Sequence, residues 1–99
     1  MGSRVADTSE LGSRDRYVVE GTPLVVYRVE EEFKVYVDVC PHAGARLSNG
    51  GFHRGVIRCP RHGAEFDPET GENKSFPVTD DLRSVESFIT NGVLYVDFG

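Results

Sequence analysis

Apolar and polar positions alternate with a period of two along much of the chain, the pattern of half-buried β-strands. The clearest example covers residues 33–39, where Phe and Val residues alternate with Lys34, Tyr36 and Asp38. The apolar set is expected to face the core and the other three side chains to lie on the opposite face. This strand leads directly into Cys40.

Shorter alternating segments predict further strands, with turn sequences between them. In the segment 85–89, Val85 and Ile89 are expected to line one face. Asn91-Gly92 predicts a type I′ hairpin turn, because both central residues of that turn need a positive φ. Turns are also predicted at 21–23 and 67–71, and one helical turn at 9–11. The other predicted strands cover residues 17–20, 24–29, 56–58 and 93–98.

No long 3.6-residue periodicity interrupts these strands. We therefore predict an all-β fold, an antiparallel sandwich or small barrel of about seven to nine short strands. The 99 residues are expected to form one domain, 1–99. In such a small domain the hydrophobic core is modest, and a bound metal group would add stability.

Composition and charge limit the functions to consider. The chain carries a net charge of −5 and has no basic stripe, which argues against nucleic-acid binding. No apolar run approaches the ~18 residues of a membrane span, and the first residues lack the apolar segment of a secretory signal. We expect a soluble cytoplasmic protein, without membrane association and monomeric in isolation.

The candidate chemistry lies in two similar loops, which contain both cysteines and two of the three histidines. Cys40 and His42 form a C-x-H pair and, after sixteen intervening residues, Cys59 and His62 form a C-x-x-H pair. In an extended segment residues i and i+2 point to the same side, so the first pair can face one centre. Four such ligands are enough for one metal centre.

Spacing alone leaves four interpretations open. The cysteines could be buried thiols beside incidental histidines, or one Cys–His pair could be catalytic. A tetrahedral Cys₂His₂ zinc site uses these ligands, although zinc knuckles more often carry a C-x₂₋₄-C pair. In a [2Fe–2S] cluster with two thiolates and two imidazoles, each loop would give one ligand to each iron.

The surrounding residues narrow the choice. Cys-Pro-His-Ala-Gly-Ala-Arg-Leu-Ser at 40–48 and Cys-Pro-Arg-His-Gly-Ala-Glu-Phe-Asp at 59–67, followed by Thr70-Gly71, resemble the motifs of Rieske-type [2Fe–2S] proteins. The similarity is greatest to the small soluble Rieske ferredoxins. It implies an iron–sulfur-protein fold of two antiparallel β-layers, with a cluster-binding subdomain made of these two loops.

The resemblance also implies roles for individual residues. Cys40 and Cys59 would bind one iron of a single [2Fe–2S] cluster, and His42 and His62 the other. The segment 75–78, containing Phe76-Pro77-Val78, would form a third loop that covers the cluster.

Departures from the high-potential Rieske proteins are informative. Ala45 and Arg61 occupy the positions at which those proteins carry a disulfide between the loops. Ala64 and Phe66 replace a Ser and a Tyr whose hydroxyls donate hydrogen bonds toward the cluster. Without those donors the reduced cluster is less stabilised, so we expect a low reduction potential.

These features predict an electron carrier that has no catalytic residues of its own. It would take one electron from a reductase and pass it to an oxygenase or another redox enzyme. One alternative is a Rieske-like small subunit of a larger reductase of the nitrite reductase type. Another is a Cys₂His₂ zinc-stabilised binding module. His53 is interpreted as an exposed loop residue, and Arg46, Arg54 and Arg61 as candidates for a basic patch near the loops.

Overall fold

The computed structural model describes residues 2–41, 44–61, 63–75 and 80–97. In this part, the chain forms nine strands, the single-turn helix α1 (Thr8–Leu11) and a 3₁₀ helix (Leu47–Asn49). None of its helices is long and apolar enough to cross a membrane. The strands are β1 (Ser3–Asp7), β2 (Arg16–Val19), β3 (Leu24–Val29), β4 (Glu32–Val37), β5 (Gly51–His53), β6 (Val56–Arg58), β7 (Glu65–Phe66), β8 (Ser84–Thr90) and β9 (Val93–Asp97).

The strands form two antiparallel sheets. Six strands make the larger sheet, in the order β1-β9-β8-β4-β3-β2, and the smaller sheet has the order β5-β6-β7. Every strand pairing is antiparallel. The predicted all-β antiparallel architecture is therefore confirmed. Along the chain, β5 and β6 lie between the two cysteine loops, and β7 follows the second one.

The hairpin between β8 and β9 turns where the sequence predicts it. Thr90 pairs with Val93 across a two-residue loop, and Asn91 and Gly92 adopt φ values of 51° and 74°. Both central residues are thus left-handed, as a type I′ turn requires. The turn twists in the same sense as the strands it joins, so the register of this hairpin is fixed locally.

Two hydrophobic cores share the strands β3 and β4. Alternate side chains of β3 enter different cores, because successive residues of a strand point to opposite faces. The cysteine-side core consists of Val25, Tyr27, Tyr36, Cys40, Leu47, Ile57, Cys59, Ala64, Phe66 and Leu82. The terminal-strand core consists of Ala6, Leu11, Val19, Leu24, Val26, Val35, Leu94 and Val96.

The expected exposure pattern of residues 33–39 is confirmed for Phe33, Val35 and Val37, which lie in or against the terminal-strand core, and is wrong at other positions. Tyr36 and Asp38 are only 2% and 5% exposed, whereas Val39 is 36% exposed. The strand has a core on each face, so a side chain on either face can be buried. Tyr36 enters the cysteine-side core, and β4 ends at Val37, before Asp38 turns inward.

The prediction for the segment 85–89 is also partly wrong. Val85 packs against the terminal-strand core, but Ile89 is 52% exposed. Strand β8 pairs with β4 through Val85 and Ser84 only, within the described residues, and then diverges from it. Among the described residues, the far end of β8 pairs with β9, and residues 86–90 of this strand are exposed.

Three strands carry no recognisable alternation in the sequence. They are β1, β5 and β7, which have five, three and two residues. Such short segments present at most one buried side chain each, too few to show a period of two. Among the predicted strands, the segment 93–98 matches β9, except that Phe98 lies outside the described residues.

Candidate metal centre

The first cysteine loop follows β4 and closes with two backbone hydrogen bonds. The Cys40 N–H donates to the Ala45 carbonyl oxygen at 2.7 Å, and the Gly44 N–H donates to the Cys40 carbonyl oxygen at 3.0 Å. Gly44 has a φ of 68°, a conformation that glycine adopts at no steric cost. The loop therefore turns back on itself within five residues after the cysteine.

The second cysteine loop follows β6 and repeats this arrangement. The Cys59 N–H donates to the Ala64 carbonyl oxygen at 2.8 Å, and the Gly63 N–H donates to the Cys59 carbonyl oxygen at 3.1 Å. Gly63 has a φ of 67°. The spacing from cysteine to glycine is the same in the two loops, so two separate segments build one backbone frame twice.

Both cysteines point into the same core. Cys40 is 0% exposed and Cys59 is 2% exposed, and both belong to the cysteine-side core. No disulfide joins them. The structure thus brings together two of the four predicted site residues, with their thiols shielded from water.

The other two predicted ligands, His42 and His62, lie outside the described residues. Of the predicted covering loop 75–78, Phe76-Pro77-Val78 also lies outside them. For all of these, the sequence-based assignments stay predictions.

A buried carboxylate beneath the first loop is a feature that sequence reasoning missed. Asp38 Oδ1 accepts the Ser48 N–H at 2.8 Å, and Oδ2 accepts the Ser48 Oγ at 2.6 Å. The Arg46 Nε and Nη2 donate to the same Oδ2 at 3.2 and 3.1 Å. The only hint in the sequence is that Arg46 and Ser48 lie within the Rieske-like motif.

The second loop is supported differently, by a strand and by the segment that follows. Arg58 of β6 pairs with Glu65 of β7. The Glu65 N–H donates to the Ser75 Oγ, and the Lys74 N–H donates to the Glu65 carbonyl oxygen at 2.7 Å. The Arg58 guanidinium packs over Gly63, where an added Cβ would lie 3.3 Å from its Nε.

Two tyrosines form part of the wall of the cysteine-side core. Burial raises the pKa of Tyr36 to about 12, and the carboxylates of Asp67 and Glu69 add to the rise. Burial also raises the pKa of Tyr27 to about 12, against the opposing effect of the Arg16 guanidinium. The Tyr36 Oη donates to the Pro68 carbonyl oxygen at 2.6 Å. Both phenols are therefore neutral at physiological pH.

Ala64 and Phe66, the two residues without a hydroxyl that follow the second cysteine, are buried as part of the core. Ala64 is 6% exposed and Phe66 is 0% exposed, and both belong to the cysteine-side core. The wall after the second loop is apolar at these two positions. His53, by contrast, is exposed at the end of β5, as predicted.

The arginines proposed for a basic patch are all exposed, but they do not share one environment. Arg46 is bound to Asp38, and Arg54 lies in the turn between β5 and β6 with a φ of 53°. Arg61 is exposed within the second loop.

Comparisons with known proteins identify the family of this chain. Residues 3–87 match the family described as the Rieske [2Fe-2S] domain. The chain is 41% identical over 78 residues to the ferredoxin CarAc of Metapseudomonas resinovorans, covering 79% of this chain and 73% of that protein. It is 35% identical over 79 residues to the ferredoxin component of the naphthalene 1,2-dioxygenase system of Pseudomonas putida, covering 80% and 76%.

A solved structure shows the same fold. It is described as the complex of reduced oxygenase and oxidized ferredoxin in carbazole 1,9a-dioxygenase. The match has a TM-score of 0.80 and 35% identity, over 96% of this chain and 91% of that one. The chain, with its paired cysteine loops, thus belongs to the Rieske [2Fe-2S] domain family.

Proposed function

We propose that this chain is a one-electron carrier of the Rieske ferredoxin type, working in the cytoplasm between a reductase and an oxygenase. The observation that carries the proposal is the repeated backbone frame, which brings Cys40 and Cys59 into one buried core. The chain does not itself catalyse a reaction, and it acts as a component of an oxygenase system. Its relatives are named as ferredoxins or as ferredoxin components of dioxygenase systems.

The cofactor is a Rieske-type [2Fe–2S] cluster, and the described residues fit it. A Rieske centre needs two thiolates near each other on one iron and two imidazoles on the other. The two thiols occupy one core without a disulfide between them. We assign Cys40 and Cys59 to one iron, and His42 and His62 to the other. When bound, the cluster takes up and releases a single electron.

The protein's own contribution is to hold the ligands and to set their surroundings. The two closed loops fix the cysteine backbones, which lowers the reorganisation needed when charge changes. Ala64 and Phe66 give the second loop an apolar wall without hydroxyl donors. We therefore expect a midpoint potential near the low end of the Rieske range of roughly −150 to +300 mV.

The solved relative suggests the acceptor. That ferredoxin is described in complex with the oxygenase of a carbazole 1,9a-dioxygenase system. We propose an oxygenase as the electron acceptor here and a reductase as the donor. We also propose that residues 1–99 act as one domain, monomeric in isolation, with cluster-binding loops 40–48 and 59–67 and a covering loop 75–78.

The test is electron paramagnetic resonance of the dithionite-reduced protein, with iron and acid-labile sulfide assayed on the same sample. We expect a Rieske signal with two irons and two sulfides per chain. His42→Ala should abolish this signal and change the visible spectrum. His53→Ala is the matched control, because it removes an exposed imidazole and should leave both spectra unchanged.

Two results would contradict the proposal. A silent reduced sample that contains stoichiometric zinc would establish the zinc-stabilised module instead. An unchanged spectrum in His42→Ala would refute the ligand assignment. If the Rieske signal is present but the reduced protein is not reoxidised by the oxygenase component of a carbazole- or naphthalene-type system, a subunit of a larger reductase becomes the better interpretation.

A further inference from the structure

Asp38 carries a carboxylate that is buried next to the first cysteine loop. Its side chain is only 1% exposed, and burial of a charge is unfavourable unless hydrogen bonds and an opposite charge compensate for it. The compensation is complete here, with four hydrogen bonds of 2.6 to 3.2 Å. All four donors belong to Arg46 and Ser48.

These bonds join the two ends of the first loop. Asp38 lies two residues before Cys40, and its partners lie six and eight residues after that cysteine. The Asp38 backbone is itself fixed, because its N–H donates to the Pro23 carbonyl oxygen at 2.8 Å. Through its backbone N–H and its carboxylate together, Asp38 thus connects the turn before β3 to the far end of the loop.

The second loop has no counterpart of Asp38 and is attached in a different way. The residue two positions before Cys59 is Ile57, which is 0% exposed and cannot bind a loop through polar contacts. There the chain leaving the loop forms β7 and pairs with β6. The chain leaving the first loop forms the 3₁₀ helix Leu47–Asn49 instead. Its attachment to the chain before the loop includes the bonds to Asp38.

We propose that Asp38 is the positioning residue of the first loop, holding it in the conformation that presents its ligands, and that its buried charge opposes reduction of the cluster. The first part follows from the hydrogen bonds. The second part rests on the proposed function, because it takes Cys40 as a cluster ligand.

The buried carboxylate shifts the reduction equilibrium of a nearby cluster in one direction. Two residues span at most about 7 Å of chain, which limits the separation of the Asp38 and Cys40 Cα atoms. Both residues are buried, and the Asp38 charge acts on Tyr27 of the cysteine-side core, which also contains Cys40. Reduction adds one negative charge, which a nearby buried anion disfavours. Arg46 offsets this effect incompletely, because its side chain is 56% exposed and water screens its charge. Replacing Asp38 by a neutral residue therefore makes reduction easier.

Hydrogen exchange tests the positioning role, with the second loop as an internal control. Mass spectrometry would follow peptides covering 40–48 and 59–67 in the full chain, because the two loops have the same backbone frame. In Asp38→Asn we expect exchange in 40–48 to be at least about tenfold faster, since a buried charged hydrogen-bond network is broken. Exchange in 59–67 should stay within about twofold of wild type.

The matched control is Asp15→Asn. Asp15 also accepts from an arginine, Arg28, at 3.0 Å, but its side chain is 72% exposed, so exchange in both loops should be unchanged. Equal acceleration of the two loops in Asp38→Asn would mean that Asp38 supports the whole fold, and would overturn the positioning role. No acceleration in either loop would overturn it as well.

The midpoint potential of the cluster distinguishes the effect of the Asp38 charge from its role in positioning the loop. Asp38→Asn should raise it. Ser48→Ala removes the bond at 2.6 Å but keeps the charge, so it should speed exchange in 40–48 without a comparable rise in potential. A potential that does not differ between Asp38→Asn and Asp15→Asn would overturn the charge part.

The two proposals can fail separately. If the wild-type protein shows no Rieske signal, the proposed function and the charge part fail, while the exchange measurement still decides the positioning role. If Asp38→Asn does not fold, Ser48→Ala and Arg46→Gln each remove part of the same network. Unchanged exchange at 40–48 in both would then overturn the proposal.

Discussion

Tyr36 connects the cysteine-side core to the turn that follows β7. Its ring is 2% exposed, and its Oη donates to the carbonyl oxygen of Pro68, a buried residue, at 2.6 Å. The same side chain packs closely on Gly71, where an added Cβ would lie 2.9 Å from the ring. One phenol thus fixes a turn of the chain against the core that contains both cysteines.

Tyr36→Phe should lower stability at neutral pH. The ring remains, but the buried Pro68 carbonyl loses its donor, which costs about 1–3 kcal/mol. In a domain of this size each kcal/mol lowers Tm by about 4–8 °C. Thermal unfolding followed by circular dichroism would measure the change. Tyr95→Phe is the control, because the Tyr95 ring stacks on Phe88 at 5.4 Å and the substitution keeps that contact. An equal loss of stability in the control would contradict this role of the Tyr36 hydroxyl.

The raised pKa of Tyr36 predicts a loss of stability at alkaline pH. Its folded value of about 12 lies above the ordinary 10.0, so folding favours the neutral phenol. This stabilisation is fully present below pH 10 and is lost as the pH rises toward 12. Urea unfolding between pH 9 and 12 should therefore show a decline that is smaller in Tyr36→Phe. A decline of the same size in both proteins would mean that other groups cause it.

At the scale of elements, Gly50 determines how closely the two cysteine loops approach each other. It follows the 3₁₀ helix after the first loop, and a Cβ there would collide with the Arg58 carbonyl oxygen and lie 2.9 Å from Pro60 Cδ. Its own carbonyl oxygen accepts the Arg16 Nη1 at 2.8 Å. Backbone just after the first loop therefore packs directly on backbone just before and at the start of the second.

Gly50→Ala should destabilise the protein by about 1–3 kcal/mol, because the contacted atoms are backbone and cannot move aside cheaply. Gly51→Ala is a close control, since a Cβ at Gly51 meets only Arg58 Cβ, at 3.9 Å. Chemical unfolding of both variants gives the comparison. Similar stabilities would show that the two loops can separate without cost.

Elements could be predicted from the sequence where local chemistry decides them. The Asn91-Gly92 turn and the cysteine motifs depend on neighbouring residues alone, so the sequence is enough to identify them. The burial of Asp38 and the exposure of Ile89 depend on which strands meet in the fold. A period of two indicates that a strand has two faces, but it does not indicate whether the second face meets solvent or another core.

At the scale of the whole molecule, different interactions stabilise the two cores. The terminal-strand core is held by apolar side chains from β1, β3, β4 and β9. The cysteine-side core includes two thiols whose loops a cluster would tie together. The cores are joined through β3 and β4, which supply side chains to both.

Removal of iron should therefore affect the two cores unequally. Anything that binds the folded state stabilises it, and its loss is felt most in the segments that hold it. With a chelator, we expect exchange to become at least about tenfold faster in 40–48 and 59–67. Peptides from β1, β8 and β9 should change by less than about twofold.

Reconstitution with iron and sulfide is the control for this measurement, since it should restore protection in the two loops. A uniform loss of protection across all nine strands would contradict the prediction, and would mean that the shared strands β3 and β4 make the cores unfold as one unit. Protection that survives only in β1, β8 and β9 would show that the terminal-strand core folds without the cluster. The cofactor would then act chiefly on the half of the molecule that binds it.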